Sequence, residues 1–257
     1  MWRKLRIVVL LLVLATVAQS AWLARTRAAK WDNTLWVVVY PINGDGSETV
    51  SRYIDGLNDA TFEPIVSFFK LEARKYGLEL VQPLEVKRGP SLTSKPPAPP
   101  FGGGGLEVIF WSLKLRYWAH RNDDYDGPRP EVRIFVAYFD PALSPRLPHS
   151  TGLQKGLIGV VNAFARADMD GSNHVVIAHE LLHTLGATDK YDFVNNRPSF
   201  PDGFADPHAN PLYPQSQAEI MAGRIPRSPA RADIPAGMDE VVIGARTARE
   251  INWVKAP

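Results

Sequence analysis

Residues 179–189 read HELLHTLGATD, and the interpretation of the chain starts from this stretch. His179 and His183 are four positions apart, so on an α-helix both imidazoles project from one face, about one turn apart. Gly186 permits a sharp turn after them, and Asp189 offers an oxygen ligand as the chain returns. Two imidazoles and a carboxylate suit a zinc ion with three protein ligands and one open position.

The helix that carries the histidines is expected to be buried, because apolar residues surround it on most sides. These residues are Val175, Val176, Ile177, Ala178, Leu181, Leu182 and Leu185. We predict a helix from about Asn173 to Leu185, with Ser172 or Asn173 capping its first turn. A charged Glu180 buried without a partner would be costly, so the polar groups of this helix need an ion or each other.

Composition narrows the class of protein. The 257 residues carry a net charge of +2 and are 45% hydrophobic, which suits one large domain, expected at residues 31–257. Basic residues are scattered rather than gathered in a stripe, which argues against a nucleic-acid partner. The chain has no cysteine, so disulfides, thiolate zinc sites and cysteine nucleophiles are excluded.

Residues 1–24 have the pattern of a signal peptide or an N-terminal membrane anchor. A basic leader precedes the apolar run Ile7–Ala18, and Ala18–Ser20 has the small residues of a signal-peptidase site. If the apolar span extends to Ala24, it is about eighteen residues long, which is short for a membrane anchor. Either interpretation predicts that the domain lies outside the cytoplasm, secreted, periplasmic or anchored.

Strands and helices alternate in the predicted domain. The predicted strands are Leu35–Ile42, Leu78–Val86, Glu131–Phe139 and Gly156–Phe164. The further predicted helices are Thr49–Leu57, Thr61–Tyr76, Leu106–Arg121 and Asp239–Trp253. The Pro/Gly-rich insertion at residues 89–105 excludes regular structure, and it is interpreted as a solvated loop or as a flap over the cleft.

Three smaller patterns favour packing and turns over ligand binding. The helix at Leu106–Arg121 has an apolar face, formed by Leu106, Ile109, Phe110, Leu113 and Tyr117. Trp111 and Trp118 are interpreted as packing residues. The acidic segment 123–127 lacks the ligand spacing of a helix-flanked calcium loop, so it predicts a polar turn. Residues 168–173 superficially look like half of such a loop, but a helix cap at Ser172 or Asn173 is the simpler explanation.

Residues 179–189 resemble the HExxHxxGxx(H/D) signature of metzincin zinc peptidases, in the variant whose third ligand is aspartate. They are similar to the corresponding stretch of snapalysin-type and immune-inhibitor-A-like bacterial peptidases, and in the latter a Tyr-Asp pair often follows, as Tyr191-Asp192 does here. Glu219–Gly223 (EIMAG) resembles the methionine turn of metzincins, in which Met221 would be apolar padding below the metal.

The resemblance implies an α+β, zincin-like domain, with a twisted mixed sheet, an active-site helix and a C-terminal helix. It implies one catalytic Zn²⁺ held by His179, His183 and Asp189, and a metalloendopeptidase that hydrolyses proteins or peptides. The zinc would activate a water, and Glu180 would be the general base.

The oxyanion donor and the third ligand have alternatives. Several metzincins place a tyrosine two residues after the turn methionine, where this chain has Gly223, so the donor would come from Tyr191, His208 or Tyr213. Spacing favours Asp189 as the third ligand.

The alternatives to Asp189 are Asp192, His208 and Glu219, and Asp192 could instead orient a ligand imidazole. Two other functions stay open. One is an exported zinc-binding protein without peptidase activity, and the other is an anchored interaction domain in which HExxH is incidental.

Overall fold

The computed structural model describes residues 30–100 and 104–254, together with Trp2 and Arg6. Apart from those two residues, the predicted signal peptide or anchor lies outside the described residues. In the part of the chain that is described, no helix is long and apolar enough to cross a membrane.

A five-stranded mixed sheet forms the centre of the fold, in the order β2-β1-β3-β5-β4. Its strands are β1 (Leu35–Asn43), β2 (Leu84–Arg88), β3 (Val132–Phe139), β4 (Thr151–Leu153) and β5 (Ile158–Phe164). Only β4, at one edge, is antiparallel to its neighbour. The central strands β1 and β3 are buried along almost their whole length, because both faces of the sheet are covered. The predicted α+β class is confirmed.

Helices cover both faces of this sheet. They are α1 (Glu48–Asp55), α2 (Glu63–Lys75), α3 (Gly105–Arg121), α4 (Asp170–Leu185) and α5 (Ala245–Glu250). Residues of α1, α2, α4 and α5 belong to the larger core cluster, whereas α3 packs against a second cluster on the other face. The predicted end of α2 is confirmed by Gly77, whose φ of +72° is left-handed.

Six short strands pair two by two outside the main sheet. They are β6 (Tyr191–Asp192), β7 (Arg197–Pro198), β8 (Ala218–Glu219), β9 (Ile225–Ser228), β10 (Arg231–Asp233) and β11 (Val241–Val242). None of them was predicted, and neither was β4, because strands of two to four residues are too short to show a periodic pattern.

Two predicted elements are shorter in the structure than the sequence indicated. The second strand begins at Leu84 instead of Leu78, directly after Pro83, a residue that cannot donate a main-chain hydrogen bond. The predicted helix Asp239–Trp253 is wrong over its first half, because β11 pairs with β8 there. Met238–Glu240 forms a 3₁₀ turn, and the only α-helical part of the predicted segment is α5, which begins after Gly244.

The start of α4 also differs from the prediction. Its first helical residue is Asp170, so Ser172 and Asn173 lie inside the first turn instead of capping it. The Asn173 side chain accepts a hydrogen bond from the Phe164 N–H at 3.1 Å and donates one to the Phe164 carbonyl at 2.9 Å. This amide therefore connects the first turn of α4 to the end of β5.

The buried face of α3 is not the predicted apolar face. Leu115 and Ala119 are buried against the sheet, and Trp111 and Trp118 pack beside them, which confirms the two tryptophans as packing residues. The predicted apolar face is exposed to solvent; its residues are Leu106, Ile109, Phe110, Leu113 and Tyr117.

Phe69→Ala is expected to lower the free energy of unfolding by about 3–5 kcal/mol, because it leaves a cavity in the core. Phe69 is fully buried, and its ring contacts Trp253 edge-on. On the same helix, Leu71 is 60% exposed, so Leu71→Ala should change the stability by about 0.5 kcal/mol or less. Denaturant unfolding measures both variants, and equal losses would contradict the packing described for α2.

Candidate metal centre

The helix α4 carries both histidines and ends directly after them. Gly186 closes its last turn with a left-handed φ of 113°, so the chain reverses where the sequence predicted. The side chains of His179 and His183 are 13% and 18% exposed. Their rings lie edge to face with centroids 4.7 Å apart, so the spacing of four residues brings both imidazoles to one site.

Both imidazoles converge on one carboxylate oxygen. His179 Nε2 lies 3.2 Å from Asp189 Oδ1, and His183 Nε2 lies 3.1 Å from the same atom. The ligand atoms of all three residues are within 4.8 Å of one another. Two ligands of a tetrahedral zinc ion, each bonded at about 2.0–2.1 Å, are about 3.3 Å apart. The two measured separations therefore fit a shared zinc ion.

Main-chain carbonyls orient the two rings. His179 Nδ1 lies 2.9 Å from the Ile220 carbonyl oxygen, and His183 Nδ1 lies 2.8 Å from the Ala187 carbonyl oxygen. Because a carbonyl oxygen only accepts, each Nδ1 donates its proton, and in the neutral imidazole each Nε2 presents a lone pair. Lone pairs that face a carboxylate require a proton or a cation between them, so the donor set suits a metal ion.

The ionisation of the cluster agrees with a cation site. Burial disfavours a charged imidazole, but the hydrogen bond to Asp189 and the negative charge of Glu180 raise the pKa of His179 to about 9. Burial also opposes ionisation of Asp189, yet hydrogen bonds from the two histidines hold its pKa well below the usual range. The cluster therefore favours a positive charge between its nitrogen and oxygen atoms, and a metal ion would compete with a proton for them.

Glu180 lies beside the histidines with one oxygen unpaired. It is 6% exposed, and its Oε2 has no hydrogen-bond partner among the described residues. Burial raises the pKa of Glu180, although the two histidines partly oppose this effect. A Cβ at Gly152 of β4 would lie 3.2 Å from Glu180 Oε2 and 2.5 Å from His183 Cβ. The edge strand therefore passes directly over the site, and glycine makes this approach sterically possible.

The loop that carries Asp189 is held on both sides. Glu250 of α5 accepts hydrogen bonds from the N–H and the hydroxyl of Thr188, each at 2.9 Å, and from Lys190 Nζ at 2.7 Å. Burial opposes the charge of Glu250, but Lys190 and Thr188 keep its pKa below the ordinary value. The Lys190 N–H donates to the Met221 carbonyl at 3.0 Å, so both neighbours of Asp189 are held in place.

The turn around Met221 orients His179 through the carbonyl group of Ile220. Residues Ile220–Ala222 form one 3₁₀ turn, and Met221 is fully buried. The buried Glu219 accepts hydrogen bonds from an N–H of this turn at 3.1 Å, from Gly244 N–H at 3.1 Å and from Thr247 Oγ1 at 2.6 Å. Glu219 therefore stabilises the turn, and it does not join the histidines as a ligand.

A pocket of about 380 Å³ opens from the metal cluster. His179, Glu180, Tyr191 and Gly223 line it, and residues 147–150 form part of its wall. Burial and the two neighbouring carboxylates raise the pKa of Tyr191 to about 12. Tyr191 therefore keeps its phenol proton at neutral pH, and it can donate a hydrogen bond in this pocket.

The remaining candidates from the sequence lie elsewhere. Asp192 is exposed and accepts a hydrogen bond from the Val194 N–H at 2.7 Å. His208 is exposed, and the ring of Tyr213 packs against Phe204. Within the described ranges, none of the three candidates lines the pocket beside the histidines. The two imidazoles are instead oriented by main-chain carbonyls. Every residue has such a carbonyl, so the sequence could not indicate which ones would serve.

The Pro-rich insertion covers the other face of the sheet. Residues 95–99 and Trp111 enclose a second cavity of about 310 Å³ against Ala137 and Phe139 of β3. This cavity shares three wall residues with the metal pocket, namely Pro148, His149 and Asn162. Of the described part of the insertion, residues 89–100, no residue lines the metal pocket. In its described residues, the insertion covers the other face of the sheet.

Comparison with known proteins does not assign this chain to a family. No protein-family model matches it, and no curated protein matches it. A solved structure described as "Structure of a chaperone-substrate complex" is similar, with a TM-score of 0.40 and 16% sequence identity. That similarity covers 85% of this chain and 33% of the other, so this chain spans a minor part of that structure and the similarity bears on neither fold family nor function.

Glu250→Ala is expected to weaken zinc binding about tenfold, because the loop on both sides of the third ligand loses its carboxylate acceptor. Glu250→Gln keeps an acceptor for the Thr188 N–H, so it should lose less affinity. Competition with a chromophoric zinc chelator measures the affinity. The matched control is Glu240→Ala, which removes a carboxylate that binds the Ala236 N–H instead. Unchanged affinity in Glu250→Ala would contradict the role of this clamp.

Proposed function

We propose that the chain is a zinc-dependent metalloendopeptidase with a zincin-like domain of the metzincin type, which acts on proteins or peptides outside the cytoplasm. One observation carries the proposal: two Nε2 atoms meet one carboxylate oxygen at 3.1–3.2 Å, beside a buried glutamate with a free oxygen. Three protein ligands leave a fourth position open, as catalytic zinc sites do. The signature in residues 179–189 and the methionine turn support the same class.

Glu180 is the proton acceptor of the proposed reaction. His179, His183 and Asp189 would hold the zinc ion, which when bound would lower the pKa of a water molecule to about 7 and polarise the substrate carbonyl. Glu180 takes the water proton at Oε2 and passes it to the leaving amine. Its raised pKa suits both transfers, because a carboxylate with a raised pKa binds a proton more readily at neutral pH.

Tyr191 supplies the hydrogen bond that Gly223 cannot provide. It lines the same pocket as Glu180, and its pKa of about 12 keeps the hydroxyl protonated at neutral pH. A donor placed there stabilises the negative charge that develops on the substrate carbonyl oxygen. Tyr191 follows the third ligand by two positions, so the loop that positions the metal also positions this donor.

The alternative of a zinc-binding protein without catalysis does not explain Glu180. Such a protein would use the same three ligands, but it would need no proton acceptor beside them. A buried carboxylate oxygen without a partner destabilises a fold. The free Oε2 of Glu180 therefore favours the enzyme over the binding protein.

Glu180→Gln is expected to retain zinc and to lose hydrolysis by about a hundredfold or more, because the amide cannot accept the water proton. Zinc content and cleavage of casein or a peptide library, with and without a chelator, measure the two properties. Full activity in the variant would remove Glu180 from this role. If the zinc-loaded parent protein cleaves none of these substrates, the non-catalytic alternative is favoured.

Tyr191→Phe is expected to lower kcat about a hundredfold while KM changes little, because the hydroxyl acts on charge that exists only in the transition state. Tyr213→Phe is the matched control, since its ring packs against Phe204. Steady-state kinetics on one cleavable peptide separates kcat from KM. An unchanged kcat in Tyr191→Phe would assign the oxyanion donor elsewhere.

A further inference from the structure

The solvent-facing side of α3 carries a row of large apolar side chains, called here the outer stripe. Its members and their exposures are Leu106 73%, Ile109 56%, Phe110 63%, Leu113 46% and Tyr117 68%. At about 100° per residue, these five positions fall within an arc of about 100°. On the opposite side of the helix, Leu115 and Ala119 are buried against the sheet. Within the described structure, α3 thus has two apolar sides, and the sheet covers one of them.

Basic residues border the outer stripe on both sides. Lys114 and Arg121 lie along one border and Arg116 lies along the other, whereas His120 falls within the arc of the stripe, given about 100° per residue. Lys114, His120 and Arg121 are exposed, whereas Arg116 is half-buried. Glu107 is the one acidic residue between Gly105 and Arg121. The surface therefore combines an apolar centre with positively charged margins.

Charge decides which partner fits this surface. A second copy would bring its own basic margins against these, and like charges in close contact are unfavourable. The apolar segment Ile7–Ala18 of the same chain is flanked by basic residues on both sides, namely Arg3, Lys4, Arg6, Arg25, Arg27 and Lys30. An anionic lipid surface offers acyl chains for the stripe and negative headgroups for its margins.

We infer that α3 lies on the surface of a bilayer that contains anionic lipids. The outer stripe is about 17 Å long, at about 1.5 Å per residue, and enters the boundary between headgroups and acyl chains. Lys114 and Arg121 extend their aliphatic stems beside it and keep their charges at the headgroups. The helices α3 and α4 pack against opposite faces of the sheet, so docking leaves the histidines accessible. This inference does not depend on the proposed peptidase activity.

Site-specific fluorescence tests the inference on the full chain, which contains no cysteine. Phe110→Cys and, as the matched control, Leu71→Cys each carry one environment-sensitive fluorophore; Leu71 is 60% exposed and lies on α2. Each protein is reconstituted with vesicles of phosphatidylcholine alone or of an equimolar mixture with phosphatidylglycerol. We expect a blue shift and quenching by nitroxide-labelled lipid at position 110 in the mixed vesicles, and neither at position 71.

A second experiment removes the positive charges of Lys114 and Arg121. Lys114→Gln combined with Arg121→Gln is expected to weaken docking at position 110 about fivefold for each charge removed. Thermal unfolding midpoints equal to that of the parent confirm that both labelled chains are folded. Identical emission spectra at positions 110 and 71 would overturn the inference. Docking that is equally strong on neutral and anionic vesicles and is unchanged by the double substitution would also overturn it. A blue shift without vesicles would also overturn it. If that shift grows with protein concentration, a second copy covers the outer stripe. If it does not, another segment of the same chain covers it.

Discussion

The cluster formed by His179, His183 and Asp189 depends on two hydrogen bonds between imidazole Nδ1 atoms and main-chain carbonyls. The carbonyls of Ile220 and Ala187 accept hydrogen bonds from the two Nδ1–H groups, and both Nε2 atoms therefore face Asp189. Without these acceptors the rings could rotate or exchange tautomers, and the three ligand atoms would not converge. The two carbonyls belong to loops on either side of the cluster, so the conformation of those loops determines the geometry of the site.

Two carboxylates, the buried Glu219 and the partly exposed Glu250, give those loops their conformation. Glu219 binds two main-chain N–H groups and the hydroxyl of Thr247, and Glu250 binds both neighbours of the third ligand. Long stretches between α4 and α5 lack regular structure, so their main-chain groups need partners from side chains. The carboxylates provide these partners, which explains how a short C-terminal helix can matter to a site carried mainly by α4.

The helices α3 and α4 are both rich in apolar residues, but they differ in how much of their surface the protein core covers. The helix α4 is buried in the larger core cluster, and its residues His179 and Glu180 line the pocket beside the candidate metal site. The helix α3 also has apolar residues on most sides, but the sheet covers one side only, and Phe110 and Tyr117 face solvent. Apolar periodicity identifies a helix in both cases; it does not say which apolar side meets the protein core.

The sequence by itself determined the local part of the site and the central strands. The spacing of His179 and His183, the turn at Gly186 and the apolar runs of β1 and β3 follow from short-range geometry, so they could be predicted. Tertiary structure alone decided the rest. The bond from His179 to its carbonyl spans 41 positions, and the Lys190–Glu250 pair spans 60. The edge strand β4 and the exposed side of α3 were likewise decided by packing between distant segments, which local residue patterns do not encode.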